Sequence, residues 1–269
     1  MNEDKRRQAQ MRVLFVGATG VIGKRVVPLL ASEFTLKLAA KKADTVAGLT
    51  VIKTDISDFA QAVNLMKDVD AVVNCAIESP YREDGSSRYR TPDDFMAYNE
   101  GQVEVNVRGA YHLYEAAARA GVKKFVFISS MTVWLGLPSH KQITAESEIR
   151  PREFYACAKL FGDMLGRTYA TTHDMNVLCL RLGQPYPIGH PQEEEWLQKA
   201  EDRGVLVHIE DIAGAISAAL RAETPKYGAY AIVSSSEEGW IDTTPAQSEI
   251  GYAPRIRFTA EGIEKSDQK

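Results

Sequence analysis

Cysteine is scarce: Cys75, Cys157 and Cys179 are the only three in 269 residues. Their odd number argues against a disulfide framework, and their wide spacing matches no metal-ligand pattern, so no metal site is expected. Charge of one sign is lacking too. The chain has 32 basic and 36 acidic residues, a net charge of −4, which leaves no electrostatic footprint for nucleic acid. No apolar run approaches the roughly 20 residues that cross a bilayer, so no membrane partner is expected. The opening MNEDKRRQAQ is charged with no apolar segment behind it, which argues against a secretory signal. Residues 1–10 are expected to be a flexible tail. What remains, 45% hydrophobic and 25% charged, is the composition of a globular protein and fits a cytoplasmic enzyme.

Short apolar runs alternate with helical patterns along most of the chain. Strands are predicted at 12–16, 35–40, 50–53, 71–75, 125–129 and 176–182, and helices at 21–31, 59–67, 105–120 and 154–169. This succession predicts an α/β fold, a Rossmann doubly wound parallel sheet with helices on both faces. The regularity fades after Gly183, where Pro185, Pro187, Gly189 and Pro191 cluster. The expected division is a Rossmann domain over 11–182 and a small C-terminal substrate lobe over 183–269, with one helix at 211–222. A polar stretch, 78–102, interrupts the alternation and is expected to be a long loop, either a lid or disordered.

Gly17-Ala18-Thr19-Gly20-Val21-Ile22-Gly23 joins the first strand to the first helix. In that context Gly17 lets the chain turn tightly, Gly20 lets the backbone approach phosphate, and Gly23 lets the helix pack close to the sheet. A pyrophosphate would then meet helix N-terminal N–H groups around Thr19, Val21 and Ile22. The plainer alternative is a turn that serves strand–helix packing alone. Asp55, followed by Ile56, is placed to accept from an adenine amino group, or to cap the helix behind it together with Ser57. The small residues Cys75 and Ala76, after Asn74 at a strand end, leave room for a cofactor at the carboxyl edge.

Tyr155 and Lys159 stand at i and i+4 on one helix face. A free phenol, with a pKa of about 10, is a poor acid or base at neutral pH. A nearby cation brings it towards the working range. Ser130, at a strand end, can hydrogen-bond a substrate oxygen and orient it for Tyr155. Asn106 can hold a water in a proton relay to Lys159. The plainer readings are a solvated Tyr/Lys pair and an exposed asparagine.

These segments, with Asn106-Val107-Arg108-Gly109 and Ser129-Ser130-Met131-Thr132-Val133, together resemble the extended short-chain dehydrogenase/reductases of the NAD-dependent epimerase/dehydratase family over residues 12–182. Ser130 lies 25 residues before Tyr155, the separation typical of that group. The resemblance implies NAD or NADP as cofactor and Tyr155 as the acid/base. It implies that Lys159 lowers the tyrosine pKa and binds the nicotinamide ribose, and that Ser130 orients the substrate. It also implies a homodimer packed through the helices over 105–120 and 154–169.

Further segments, Arg181-Leu182-Gly183, Glu210-Asp211-Ile212 and Trp240-Ile241-Asp242 among them, are similar to the uronate dehydrogenase branch. That likeness implies a sugar or sugar-acid substrate, contacted by Ser79. Arg181 would clamp a substrate carboxylate through its planar fork; a structural ion pair is the alternative. Two features depart from the branch. Residues 80–102 exceed the equivalent loop in length, and Ala40, followed by Lys41 and Lys42, occupies the place of the acid that holds the adenosine ribose. Loss of that carboxylate removes repulsion of a 2′-phosphate and the lysines add attraction, so NADP is expected over NAD. A solvated lysine loop is the alternative. Competing functions are a nucleotide-sugar epimerase or dehydratase and a non-catalytic NAD(P)-sensing regulatory protein.

Overall fold

A computed structural model describes residues 10–78, 91–137, 142–186, 197–198 and 204–265. Ser79, residues 80–90 and all of the expected tail except Gln10 lie outside them.

Strands covered on both faces need mostly apolar residues, and the central strands have them, with polar residues such as Asn74, Ser129, Ser130 and Arg181 near their carboxyl ends. β1 (Arg12–Val16) buries Val13 and Phe15 on one face, Leu14 and Val16 on the other. β2 (Thr35–Ala40) runs parallel beside it; beyond lies β4 (Leu49–Lys53), with β3 (Asp44–Val46) antiparallel at the edge. On the other side of β1 come β5 (Ala71–Asn74), β6 (Lys124–Ser130), β7 (Asn176–Leu182) and β10 (Tyr227–Ile232), each parallel to its neighbour. The order β10-β7-β6-β5-β1-β2-β4-β3 places the switch point between β1 and β5. Ligands of doubly wound sheets bind at that carboxyl edge. The six predicted strands agree with the structure to within one residue at each end.

One face of the sheet packs α1 (Gly23–Leu30), α6 (Ile209–Arg221) and α7 (Thr244–Ile250). The other packs α2 (Phe59–Leu65), α4 (Ala110–Arg119) and α5 (Phe154–Thr172). The stretch expected as a loop is instead helical where described, as α3 (Pro92–Gln102). Thr91 caps it, accepting from Asp94 N at 3.1 Å, and Pro92, Asp93 and Asp94 fill the first turn. Phe95 and Met96 are 51% and 64% exposed, so no apolar stripe announces this helix. The helix expected over 105–120 is present and runs on from α3 without a break: its first turns, Val103–Gly109, are π-helical and carry Asn106, and α4 completes it. Gly109 allows a close approach, since a Cβ there would stand 2.6 Å from Ile56 Cδ1.

The sheet continues past residue 182. β10 pairs with β7 along its whole length and α6 packs on α1, so part of the expected lobe completes the core. The remainder comprises β8 (Gln184–Pro185) with β9 (Leu206–Val207), and a small sheet of β11 (Ser235–Ser236), β12 (Ile256–Thr259) and β13 (Gly262–Lys265). Buried Asp211 ties this part down, accepting from Arg255 N at 2.7 Å, Ser234 Oγ at 2.5 Å and Ile256 N at 3.3 Å. Among the described residues no helix is long and apolar enough to cross a membrane, and no His, Cys, Asp and Glu cluster suits a metal ion.

Candidate active site

Gly17 leaves β1 with φ of +92°, its N–H donating to Ala39 O at 2.8 Å. A Cβ there would stand 2.7 Å from the backbone of Cys75 and Ala76, so the turn passes over the end of β5. Gly23 is tighter, with a Cβ only 2.3 Å from Gly17 O. Gly20 differs: it is exposed, and a Cβ would meet just Gly17 O at 3.2 Å. Two glycines therefore serve the chain's own packing, while the third leaves its small size open to solvent. Val21 is 72% exposed, beside half-buried Thr19 and Ile22. An exposed glycine turn at a helix N-terminus is a cradle that fits a pyrophosphate.

Lys41 and Lys42, directly after β2, are exposed. Asp44, the next acid, pairs with Lys24 at 3.2 Å. Asp55 Oδ1 accepts from Ser57 Oγ at 2.7 Å and Ser57 N at 2.9 Å. The Ser57 hydroxyl above all holds the carboxyl below its ordinary range, and Lys41 contributes, which puts that lysine's charge near Asp55. The cap of α2 is Asp58, accepting from Ala60 N and Gln61 N, so neither Asp55 nor Ser57 caps that helix. Ile56 is buried, its carbonyl 3.0 Å from His112 Nδ1.

Ser130 closes β6, and Tyr155 and Lys159 come from the first turns of α5. The structure brings the three together. The Ser130 hydroxyl, which accepts from Thr132 N at 3.2 Å, lies near the Tyr155 phenol. Lys159 is 1% exposed; its Nζ donates to Ile128 O at 2.7 Å, 5.0 Å from the Phe127 ring centre and 5.6 Å from that of Tyr155. Burial pulls Lys159 down to about 8, with Cys75 and Asp163 opposing. Burial also pushes Tyr155 well above its ordinary value. The nearby Ser130 hydroxyl opposes that rise, while Tyr98, Cys75 and Glu153 add to it. The lowered phenol pKa expected from Lys159 is therefore not produced by the protein alone, because each group, withdrawn from water, favours its neutral form.

Cys75, just past β5, is buried and its thiol is pushed up to about 11 by that burial. Asn106 is buried rather than exposed: Oδ1 accepts from Glu78 N at 2.9 Å and Nδ2 donates to Gln102 Oε1 at 3.3 Å. Its amide thus ties the π-helix to the chain leaving β5. π-Turns of this kind are frequent at functional sites. Tyr98 of α3, absent from the sequence expectations, reaches Tyr155 closely enough to affect its ionisation. Arg181, near the end of β7, has its Nε donating to Asp163 Oδ2 at 2.9 Å and its guanidinium 4.7 Å from the Trp134 ring centre. That pair engages Nε, as the structural ion-pair alternative expects. Its partner Asp163 was outside the sequence expectations.

A parallel sheet with a glycine turn at its switch point and Ser130, Tyr155 and Lys159 converging nearby defines a Rossmann-fold oxidoreductase of the short-chain type. Residues 13–200 match the NAD dependent epimerase/dehydratase family, and the chain belongs to it. It is similar to the L-arabinose 1-dehydrogenase (NAD(P)(+)) of Haloferax volcanii, 26% identical over 91% of this chain and 96% of that protein. It is equally similar to the uronate dehydrogenase of Pseudomonas syringae pv. tomato, 26% identical over 91% of this chain and 82% of the other. The crystal structure of uronate dehydrogenase from Agrobacterium tumefaciens shares the fold, with a TM-score of 0.74 at 24% identity over 93% of this chain and 86% of that one.

Proposed function

We propose that this protein is an NAD(P)-dependent dehydrogenase that oxidises a sugar or sugar acid at a hydroxyl-bearing carbon. The carrying observation is the Ser130–Tyr155–Lys159 group beside the exposed glycine turn. Thr19, Gly20, Val21 and Ile22 hold the pyrophosphate, with Gly17 and Gly23 shaping the turn. Asp55 and Ile56 face the adenine, and Cys75 and Ala76 leave space along the cofactor. Bound there, the nicotinamide supplies the hydride acceptor. Ser130 holds the substrate hydroxyl, Tyr155 takes its proton, and the Lys159 ammonium stabilises the resulting phenolate. Asn106 braces the segment that faces them.

NADP is the favoured cofactor, supported by Lys41 and Lys42 and by the absence of an acid at Ala40. Residues after 183 outside the large sheet form the substrate-facing part. The homodimer that family likeness implies is supported by exposed Tyr111, Phe161 and Met164 on α4 and α5; sedimentation tests it. The decisive experiment supplies aldoses and uronates with NADP or NAD and follows reduced nicotinamide. Its accumulation supports a dehydrogenase. Interconverted nucleotide-sugars with no accumulation would instead mean an epimerase, which keeps its cofactor through the cycle.

A further inference from the structure

Tyr155, Lys159 and Asp163 lie at i, i+4 and i+8, one above another on α5. Lys159 and Asp163 are both buried, as is Arg181. The Asp163 carboxylate receives Arg181 Nε at 2.9 Å. Arg181 stands opposite Ser129 in the β6–β7 register, one residue before Ser130. Asp163 Oδ1 makes no hydrogen bond of ordinary geometry and has Ser129 and Cys179 beside it. This buried layer therefore brings two basic groups and one carboxyl together; burial raises the pKa of the Asp163 carboxyl while Arg181 opposes that rise, and the carboxyl lies one helical turn from Lys159.

For stability alone, such a pair is replaceable by apolar side chains of similar volume. Its placement suggests a different use. Lys159 is out of water, which favours its neutral form, and the Asp163 carboxylate, held by Arg181, acts in the opposite sense. Taking the catalytic roles of Tyr155 and Lys159 from the proposed function, we infer that Asp163, anchored by Arg181, is a positioning residue that holds Lys159 in its charged form and aligns the end of β6. The groups facing Lys159 are Cys75 after β5, the Phe127 ring and Ile128 carbonyl of β6, and Tyr155 and Asp163 of α5. Facing Asp163 in turn are Arg181 and Cys179 of β7, Ser129 of β6, Tyr114 of α4 and Tyr227 of β10. Among these, Asp163 is the carboxylate.

The test is Asp163→Asn, close in shape and without the charge. Lysine labelled with 13C at Cε reports the Lys159 titration by NMR in the full chain, with its signal assigned by loss in Lys159→Met. The midpoint should fall by about one pH unit, a roughly tenfold loss of the charged form at alkaline pH. The alkaline limb of kcat/KM should move with it. If the lone Arg181 charge prevents folding, the double variant Asp163→Asn/Arg181→Gln removes both charges, and the midpoint should again fall. An unchanged midpoint in the folded variants, with only a lower Tm, would overturn the inference and leave the pair a purely structural one. The NMR titration needs no substrate. A shifted midpoint in a protein that oxidises no sugar would sustain the electrostatic role of Asp163 and sink the proposed function.

Discussion

Gly162 of α5 lies so close to Phe127 of β6 that an added Cβ would stand 2.2 Å from the ring's Cζ. The helix bearing Tyr155 and Lys159 is thereby pressed onto the strand that ends in Ser130. Gly162→Ala must lift the helix or turn the ring, at a cost of about 1–3 kcal/mol. Thermal unfolding should show a Tm lower by roughly 5 °C, and kcat should fall because Lys159 is drawn from Ile128 O. Parent values of both would refute this account of how the site is aligned.

Tyr155→Phe retains the ring and removes the proton carrier. Turnover should drop about 10³-fold, while the Kd for cofactor stays within roughly twofold of the parent, since the glycine turn is untouched. Full activity in this variant would rule out the mechanism.

The cofactor question rests on Lys41 and Lys42. Alanine at both should cost about tenfold in kcat/KM with NADP and little with NAD, because only the former carries the 2′-phosphate. A preference of about tenfold for NAD in the unaltered protein would reject the assignment outright.

The three glycines of the turn should part company. Gly17→Ala and Gly23→Ala meet backbone at 2.7 and 2.3 Å and should lose stability. Gly20→Ala meets only Gly17 O, at 3.2 Å, so its Tm should stay near the parent's while cofactor Kd rises. A Gly20→Ala protein that binds cofactor normally would count against phosphate contact there.

Lys159 gives opposite pH trends for activity and stability. Its folded value is lowered from 10.5 to about 8, so between these limits the unfolded chain holds a proton the folded one has shed. The unfolded state then binds more protons, and this group's contribution to stability rises with pH across that window. Activity that needs the charged lysine falls over the same range. The kcat/KM profile should decline above about pH 8, and Lys159→Met should lack the upward component in its Tm profile.

Much of this was legible from the chain because central strands buried on both faces read as nearly continuous apolar runs, with polar residues near their ends. The glycine turn and the Ser130, Tyr155 and Lys159 spacing were readable for a similar reason: each lies within, or at the end of, one strongly patterned element. Other features lacked such a signal. α3 is set by its cap and first turn while its apolar side chains face outward, so periodicity passes over it and Tyr98 with it. β3 is a three-residue edge strand. Asp163 and Arg181 meet across a helix and a strand, 18 residues apart, and nothing local to either names its partner. The proton-holding balance at Tyr155 depends on burial, which spacing along a helix does not convey.

Every residue assigned here to binding or catalysis precedes Leu182, yet β7 gains its outer neighbour only when the chain returns at Tyr227. A fragment ending at 182 would carry the proposed catalytic residues without the substrate-facing part and expose one flank of β7 as an open strand edge, the kind of surface on which chains stack into aggregates. The proposed catalytic residues and the strand that closes the sheet are thus encoded at different points along the polypeptide. A ribosome finishing residue 182 has supplied the proposed catalytic residues, but neither the outer neighbour of β7 nor the part proposed to face the substrate.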